Sequence, residues 1–209
     1  MSPGRALACS RGMAEIGRRL FPYRGIIWGF VGLGVYLFSR PSPLLFRLGI
    51  LCICLGEVLR LWASGYIKTY RGPMEGVREL VTSGPYAYVR NPLYLANGLI
   101  GLGVTLLSGI LWTIVLFGGI FAFLYGSVVR AEEAFLEEKF GEAYREYARY
   151  VPRFFPRLTP YSRREGSFSF RVLWEKESVT LCTLSLVVLL FYLRGFGFLR
   201  VLDRLFFGL

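Results

Sequence analysis

The chain has 209 residues, of which 54% are hydrophobic, and a formal net charge of +11 at pH 7. An ordinary soluble domain is roughly 45–50% apolar, so this excess favours a membrane protein. The basic charge does not indicate a nucleic-acid surface, because the arginines concentrate in loops beside apolar segments, as they do in membrane proteins. We therefore expect a protein whose partner is the lipid bilayer and not a nucleic acid.

The cysteine and histidine content narrows the chemistry further. There are four cysteines and no histidine. Cys52 and Cys54 lie in an apolar run, where two positions apart means different faces of a helix, so we interpret them as packing residues. Without histidine or a Cys-x-x-Cys pair, a metal site has little support, and histidine cannot act as a general base.

Five apolar stretches predict the membrane topology. A transmembrane helix needs roughly 20 residues, which the second, fourth and fifth stretches provide, whereas the first and third must borrow flanking residues. The breaks at residues 40–43 and 107–109 are short enough to indicate tight helical hairpins. The stretches are 25–39, 43–64, 92–107, 109–129 and 178–199.

These stretches predict an all-α, multi-pass integral membrane bundle of about five transmembrane helices, with four helices plus a partly embedded segment as the alternative. Residues 1–24 contain five arginines and no continuous apolar stretch. We therefore expect no cleavable secretory signal, and a retained anchor at the first stretch. No internal repeat or low-complexity region divides the chain, so we expect one domain over residues 1–209.

The distribution of basic residues predicts the orientation. Of the 25 Lys and Arg residues, five fall in 1–24, four in 65–91 and ten in 130–177. Five alternating helices would place these three segments on one side, which the positive-inside rule assigns to the cytoplasm. The amphipathic tail 198–207 is expected to span or to lie at a membrane interface.

Residues 80–94 form the first polar segment beside an apolar run, where a bilayer makes polar groups costly. Gly84-Pro85 predicts a turn, and Pro92 suits the first turn of the next helix. By itself this segment is typical of any structured loop that enters a membrane helix. The alternative is a cofactor loop whose backbone and aromatic side chains hold a nucleoside.

The second polar segment begins with Glu132 and Glu133, directly after an apolar run. A solvated interfacial helix would explain both residues, but two carboxylates could also bind a cationic cofactor. Beyond them an apolar stripe recurs at helical spacing, with Gly141 expected to end one helix and let the next fold back. We expect the stripe to be mostly packing, and Tyr144 and Tyr147 to anchor the membrane interface rather than to close a pocket. The stripe consists of Leu136, Phe140, Tyr144, Tyr147 and Val151.

Three further charged residues could contact a substrate. Arg90 is either a positive-inside anchor or a guanidinium that orients a carboxylate or a lipid headgroup. Glu57 and Arg60 are three residues apart in an apolar run and would share a helix face. Such charges in a membrane span usually face a bundle interior or a cavity, so they either line a substrate route or lock two helices together.

Together the two segments resemble the isoprenylcysteine carboxyl methyltransferase family and, more distantly, the phospholipid N-methyltransferases, over residues 56–157. These are integral membrane enzymes that use S-adenosylmethionine. We predict substrate contacts by Glu57 and Arg60 from their place in an apolar run. The resemblance implies catalytic roles for Arg90 and Tyr86, and a substrate contact by Arg90. It implies cofactor contacts by Arg78, Leu80, Val81, Gly84, Tyr86, Asn91, Tyr94, Glu132 and Glu133.

Two positions depart from the isoprenylcysteine pattern. Arg78 and Asn91 stand where that family commonly has histidine. Asn91 can form hydrogen bonds but cannot titrate, and Arg78 is a permanent donor. The departures leave cofactor binding in place as an expectation but weaken the transfer of the exact substrate.

The expected function is S-adenosylmethionine-dependent methyl transfer to a lipophilic acceptor, with carboxyl O-methylation of an isoprenoid or lipid-like molecule as the leading reaction. A carboxylate acceptor needs no general base, whereas an amine or hydroxyl would need a proton acceptor such as Glu57, Glu132 or Tyr86. The alternatives are methylation of a phospholipid amine, or a non-catalytic membrane scaffold or transporter. Cofactor binding distinguishes the last two from an enzyme.

Overall fold

The computed structural model describes residues 23–67 and 77–197. Its helices are α1 (Arg24–Leu37), α2 (Pro43–Ser64), α3 (Pro92–Leu107), α4 (Trp112–Phe140), α5 (Glu142–Tyr150) and α6 (Phe170–Phe196), with a 3₁₀ turn at Gly84–Ala87. Every regular element within the described residues is helical, which confirms the all-α prediction.

The helix boundaries follow local chemistry. Pro43 and Pro92 occupy the first turns of α2 and α3, where a missing backbone N–H costs least. Helix α4 ends at Gly141, whose φ of +55° favours glycine over any residue with a Cβ. The predicted breaks therefore lie where the sequence placed them, and α4 continues well past its apolar run.

Helices α2 and α3 pack antiparallel with their backbones in close approach. A Cβ added to Gly49 would lie 2.7 Å from the carbonyl oxygen of Gly103, and one added to Gly103 would lie 2.6 Å from that of Gly49. One end of the pair is closed by the two tight turns, because the Arg40 N–H donates to the Ser108 carbonyl at 2.6 Å. The described residues that join α2 to α3 and α4 to α6 consequently lie at the opposite end.

The number of membrane spans is a separate question from the number of helices. Among the described residues, Trp112–Phe140 and Glu177–Phe196 are long and apolar enough to cross a bilayer, while Gly25–Leu37 and Pro92–Leu107 are shorter apolar helices. Helix α2 has 22 residues but carries three charged side chains, Arg47, Glu57 and Arg60. Five spans therefore stay a prediction.

The outward surfaces of the long helices are apolar. Phe30 is 73% exposed, Val115 77% and Val179 74%, on α1, α4 and α6 respectively. Extended exposed apolar surface is unfavourable in water but suits helices surrounded by lipid. The fold thus supports a membrane protein.

Two predictions concern residues outside the described ranges. These are the arginine-rich segment before residue 23 and the amphipathic tail 198–207. The fifth apolar stretch, 178–199, agrees with the apolar span Glu177–Phe196, but the helix that contains it begins earlier, at Phe170. Glu177, assigned to a connecting segment, therefore lies two turns inside a helix.

Candidate active site

The two polar segments form one structural unit at the end of the bundle opposite the tight turns. The Arg90 N–H donates to the Pro152 carbonyl at 2.9 Å, and the Tyr161 N–H donates to the Ala87 carbonyl at 2.9 Å. Thr82 extends the pairing, since its Oγ1 donates to the Arg163 carbonyl at 2.8 Å. These three bonds, two of them between backbone groups, hold the loop before α3 against the segment after α5.

Helix α5 packs its aromatic face beneath this loop. Tyr144 and Tyr147 are each 3% exposed and form a core with Leu80, Ala87, Val151 and Tyr161, against which Leu136 and Phe140 also pack. The apolar stripe is therefore packing, as predicted. The expectation of interface anchoring was wrong, because the loop covers both tyrosine rings.

The two tyrosines stay protonated at neutral pH. Burial, reinforced by the nearby Glu133 carboxylate, raises the pKa of Tyr144 to about 12. Burial also raises the pKa of Tyr147, whose hydroxyl donates to the Tyr86 carbonyl at 2.7 Å. Tyr147 therefore fixes the backbone of the first segment, and neither phenol can serve as a general base.

Glu133 lies at the centre of a buried charge cluster. Its Oε1 is 3.3 Å from Nη1 of Arg90 and accepts from Nδ2 of Asn91 at 3.2 Å. Arg153 binds the same carboxylate through Nε, at 3.0 and 2.9 Å from its two oxygens, and through Nη2. The hydrogen bonds that Arg153 donates to Glu133 raise the pKa of Arg153. One carboxylate thus serves two guanidiniums, and the cluster keeps a surplus positive charge.

Glu132 points to different partners one position earlier on α4. Its Oε1 accepts from the Tyr94 hydroxyl at 2.7 Å. The Tyr94 ring contacts that of Tyr125, with centroids 5.0 Å apart, and Tyr125 stacks at 6.3 Å on Trp28 of α1. Adjacent glutamates therefore belong to separate arrangements, one ionic and one aromatic.

Both arrangements border a cavity of about 920 Å³ that runs between the helices. Ligand sites commonly measure about 300–1,000 Å³, so the volume suits a cofactor and part of an acceptor. At the loop end it is lined by Leu80, Val81, Tyr86, Arg90, Asn91, Tyr94, Glu132, Glu133, Tyr144 and Tyr147. Further in, it is lined by Trp28, Arg60, Asn97, Ile100, Val104, Phe117, Phe121, Tyr125, Thr180, Val187 and Phe191, among others. The cavity is polar at the loop end and mostly apolar beyond Arg60.

Arg60 lines this cavity through a network that joins three helices. Its Nε donates to Oε2 of Glu177 at 3.0 Å, its Nη1 to Oδ1 of Asn97 at 2.6 Å, and its Nη2 to Oγ1 of Thr180 at 3.3 Å. Glu177 is fully buried and also accepts from Ser64 at 2.5 Å. Arg60, which the sequence analysis paired with Glu57, therefore binds directly to Glu177, 117 positions away.

Three predicted site residues do not line the cavity. Glu57 is buried in α2 and is not among the lining residues, and Arg78 is exposed on the loop. Gly84, with φ of +60°, lines a smaller pocket of about 340 Å³ beside Tyr66 and Arg164. Every other predicted site residue borders the cavity, although their roles stay predictions.

Sequence reasoning missed four residues of the site. Arg153 directly follows the Val151-Pro152 pair of the second segment, so a local signal existed for it. Glu177, Asn97 and Thr180 had none, because their part in the site depends on how α6 packs against α2 and α3.

The cavity residues fit S-adenosylmethionine, the cofactor implied by the resemblance. Nε of Arg90 is buried and, among the described residues, has no hydrogen-bond partner, so the guanidinium retains a donor for a carboxylate. Glu132 supplies an acceptor for an ammonium or for ribose hydroxyls. The donor set thus matches a zwitterionic ligand with a cationic centre.

Comparison with known proteins is consistent with this geometry. Residues 44–143 match the model of the phospholipid methyltransferase family. No solved structure matches the chain significantly.

Three curated relatives are similar. A cobalt-zinc-cadmium resistance protein from Cupriavidus metallidurans is 41% identical over 133 residues, which cover 63% of this chain and 57% of the relative. A nickel-cobalt-cadmium resistance protein from Alcaligenes xylosoxydans xylosoxydans is 38% identical over 133 residues, covering 63% and 58%. A protein-S-isoprenylcysteine O-methyltransferase from Schizosaccharomyces pombe is 31% identical over 109 residues, covering 50% and 46%. The chain thus matches less than two thirds of the length of each relative.

The family match contains α3, Tyr94 and both glutamates of α4, while α1 and α6 lie outside it. Residues 44–143 thus match the phospholipid methyltransferase family, and the resemblance of the chain to the isoprenylcysteine methyltransferases is confirmed.

Proposed function

We propose that the protein transfers a methyl group from S-adenosylmethionine to a lipophilic acceptor. The observation that carries the proposal is the single cavity in which the polar residues of both segments meet an apolar interior. A water-soluble cofactor and a lipid-like acceptor need such opposite surroundings within reach of each other. The match to the phospholipid methyltransferase family and the similarity to an isoprenylcysteine methyltransferase support the same reaction class.

S-adenosylmethionine, when bound, supplies an electrophilic methyl group on a sulfonium. Arg90 would hold the carboxylate of the cofactor or of the acceptor, since its Nε retains a donor. Glu133 and Arg153 hold Arg90 in place, and Glu132 would bind the cationic or ribose portion. Catalysis then comes mainly from positioning, because methyl transfer requires the reacting atoms to be held roughly in line.

The charge balance favours a carboxylate as the methylated group. Arg90 and Arg153 share the single carboxylate of Glu133, so this side of the cavity suits an anion, while the carboxylate of Glu132 lies on its aromatic side. A carboxylate also needs no proton acceptor, and the buried phenol of Tyr144 cannot provide one at neutral pH. We therefore propose carboxyl O-methylation of an isoprenoid or lipid-like acceptor.

Methylation of a phospholipid amine is the second candidate. It is favoured by the family model and by Glu132, a carboxylate at the cavity that could accept the proton of an amine. The two reactions differ in the product, because an ester is labile to base and a methylated amine is not.

The proposed setting is a multi-pass arrangement with the loop end of the cavity facing the cytoplasm. It rests on the number of basic residues in segments 65–91 and 130–177, which the positive-inside rule assigns to the cytoplasm. The cofactor would then enter from the cytoplasm and the acceptor from the membrane.

The test is methyl transfer by the purified protein. The protein would be incubated with S-adenosylmethionine, labelled in the transferred methyl group, and a total membrane lipid extract, and the lipids separated before and after mild base. Base-labile label in an apolar product supports carboxyl methylation, and stable label in a headgroup supports amine methylation. A folded protein that neither binds the cofactor nor transfers the methyl group would leave the scaffold or transporter interpretation.

Matched variants connect the assay to the cavity. Arg90→Lys keeps the charge but loses the planar fork, so turnover should fall by roughly tenfold or more if a charge-assisted bond orients the acceptor. Arg194→Lys is the control, because Arg194 lies on α6 outside the cavity and donates to the Ser39 and Leu37 carbonyls. Equal turnover in both variants would return Arg90 to the role of a membrane anchor.

A further inference from the structure

The cavity is arranged in three layers along α3. Asn91 and Tyr94 mark the charged layer, where Glu133 and Glu132 bind them. Asn97 lies three residues further, about 4.5 Å along the helix axis, and binds Arg60. Beyond it, Ile100 and the ring of Phe117 belong to the apolar layer. A single polar layer, formed by Asn97 and Arg60, thus separates the charged layer from the apolar layer.

The polar layer carries little net charge. Arg60 is paired at 3.0 Å with Glu177, which is completely buried, so the pair attracts an anion far less than a lone guanidinium would. A buried ion pair is expensive to desolvate and gives little stability over an apolar pair. Its retention at the cavity wall, with 19% of the Arg60 side chain exposed, indicates a use for its exposed donors.

Arg60 has donors left for a ligand. A guanidinium has five N–H groups, and the contacts to Glu177, Asn97 and Thr180 occupy one on each nitrogen. The remaining N–H groups belong to Nη1 and Nη2, and the side chain lines the cavity. Three partners on two helices hold the fork in one orientation, which is the condition for selective recognition.

We propose that Arg60 binds an uncharged oxygen acceptor, such as an amide or ester carbonyl, located in the acceptor molecule between its reacting headgroup and its apolar tail. The substrate class is then an amphiphile with a carbonyl about 4–5 Å from the methylated end, matching the layer spacing along α3. A plain fatty or isoprenoid acid lacks this group. The inference deepens the proposed function and rests on it for the direction in which the acceptor lies.

The test measures binding, so it does not require methyl transfer. The probes are N-palmitoylglycine and the fatty acid of equal chain length, which share head and tail and differ in the amide. A second pair, N-palmitoylethylenediamine and the alkylamine of equal chain length, covers an amine headgroup. The protein with S-adenosylhomocysteine bound should prefer the amide-bearing member of at least one pair by about tenfold, the value of a hydrogen bond to a charged donor.

Two variants test whether the guanidinium of Arg60 recognises the carbonyl. Arg60→Lys retains the ion pair but loses the fork. The combined change Arg60→Met with Glu177→Leu replaces the ion pair by apolar residues, so Glu177 is not left as a buried charge without Arg60. Both should bind the two members of a pair equally, while Arg194→Lys should discriminate like the unchanged protein. If Arg60→Lys is poorly folded, the double variant carries the test.

The outcomes separate this inference from the proposed function. Equal binding of both members by the unchanged protein, unaltered preference in the variants, or no binding of any probe would overturn the role of Arg60. Absence of S-adenosylhomocysteine binding would instead overturn the proposed function, and the probe ratios would still report on Arg60.

Discussion

Glu132 and Glu133 are adjacent on α4, but replacing each by glutamine should affect a different property of the protein. Glu133→Gln removes the charge that binds two guanidiniums, whereas Glu132→Gln leaves an amide oxygen that can still accept from Tyr94. The first change should therefore lower stability, and the second should lower cofactor affinity with little effect on stability.

The magnitudes follow from burial. The side chains of Glu133 and Arg90 are 10% and 15% exposed, so breaking their pair should cost about 3 kcal/mol, the lower end for buried pairs. Arg153 is 41% exposed and adds little, as surface pairs do. For a chain of this length the loss corresponds to a Tm roughly 6–12 °C lower.

The assay is thermal unfolding of the detergent-purified protein with and without S-adenosylhomocysteine. A ligand at about 100 times its Kd stabilises by roughly 2.7 kcal/mol, which gives a shift of several degrees. Glu132→Gln should keep the Tm of the ligand-free protein within about 2 °C and lose most of that shift, because a charge-assisted bond contributes about 1.5–3 kcal/mol. A full ligand-induced shift in Glu132→Gln would contradict cofactor binding by Glu132. An unchanged Tm in Glu133→Gln would contradict a stabilising role for Glu133.

Three further predictions concern packing, pH and topology. Gly103→Ala should destabilise by about 1–3 kcal/mol in chemical unfolding, since the added methyl would lie 2.6 Å from the opposite backbone, whereas Gly118→Ala, with nothing within 4 Å, should not. Because the pKa of Tyr144 is raised to about 12 from 10.0, its contribution to stability is complete below pH 10 and is lost as pH rises to 12. Tyr144→Phe should therefore lose less Tm over that interval than the unchanged protein, and equal losses would contradict a buried phenol. In a background without native cysteines, Leu111→Cys should react with an impermeant reagent in intact cells and Glu165→Cys should not; the reverse pattern would invert the proposed orientation.

Much of the fold was predictable because helix ends depend on local chemistry. Proline at position 92 and glycine at position 141 act on their own backbone, so their effects could be inferred without knowing the rest of the chain. The apolar stripe of α5 was predictable for the same reason, since its spacing alone defines a face. Its covering was not, because the loop that buries Tyr144 arrives from 60 residues earlier in the chain.

The charge partners were the least predictable part of the site. Arg60 and Glu57 are three residues apart, about 60° around the helix, which suffices to place one at the cavity wall and the other away from it. The acidic partner of Arg60 is Glu177, and that pairing exists only because α6 packs beside α2. Periodicity indicates which residues share a face but not which helix meets that face.

Calorimetric titration of the purified protein with S-adenosylhomocysteine measures whether the cavity binds the cofactor. We expect saturable binding at one site per chain. Glu132→Gln should weaken the affinity for S-adenosylhomocysteine about tenfold or more, and Arg194→Lys should leave it unchanged. Absence of binding to folded protein, or binding unaffected by both Glu132→Gln and Glu133→Gln, would contradict a cofactor site in this cavity.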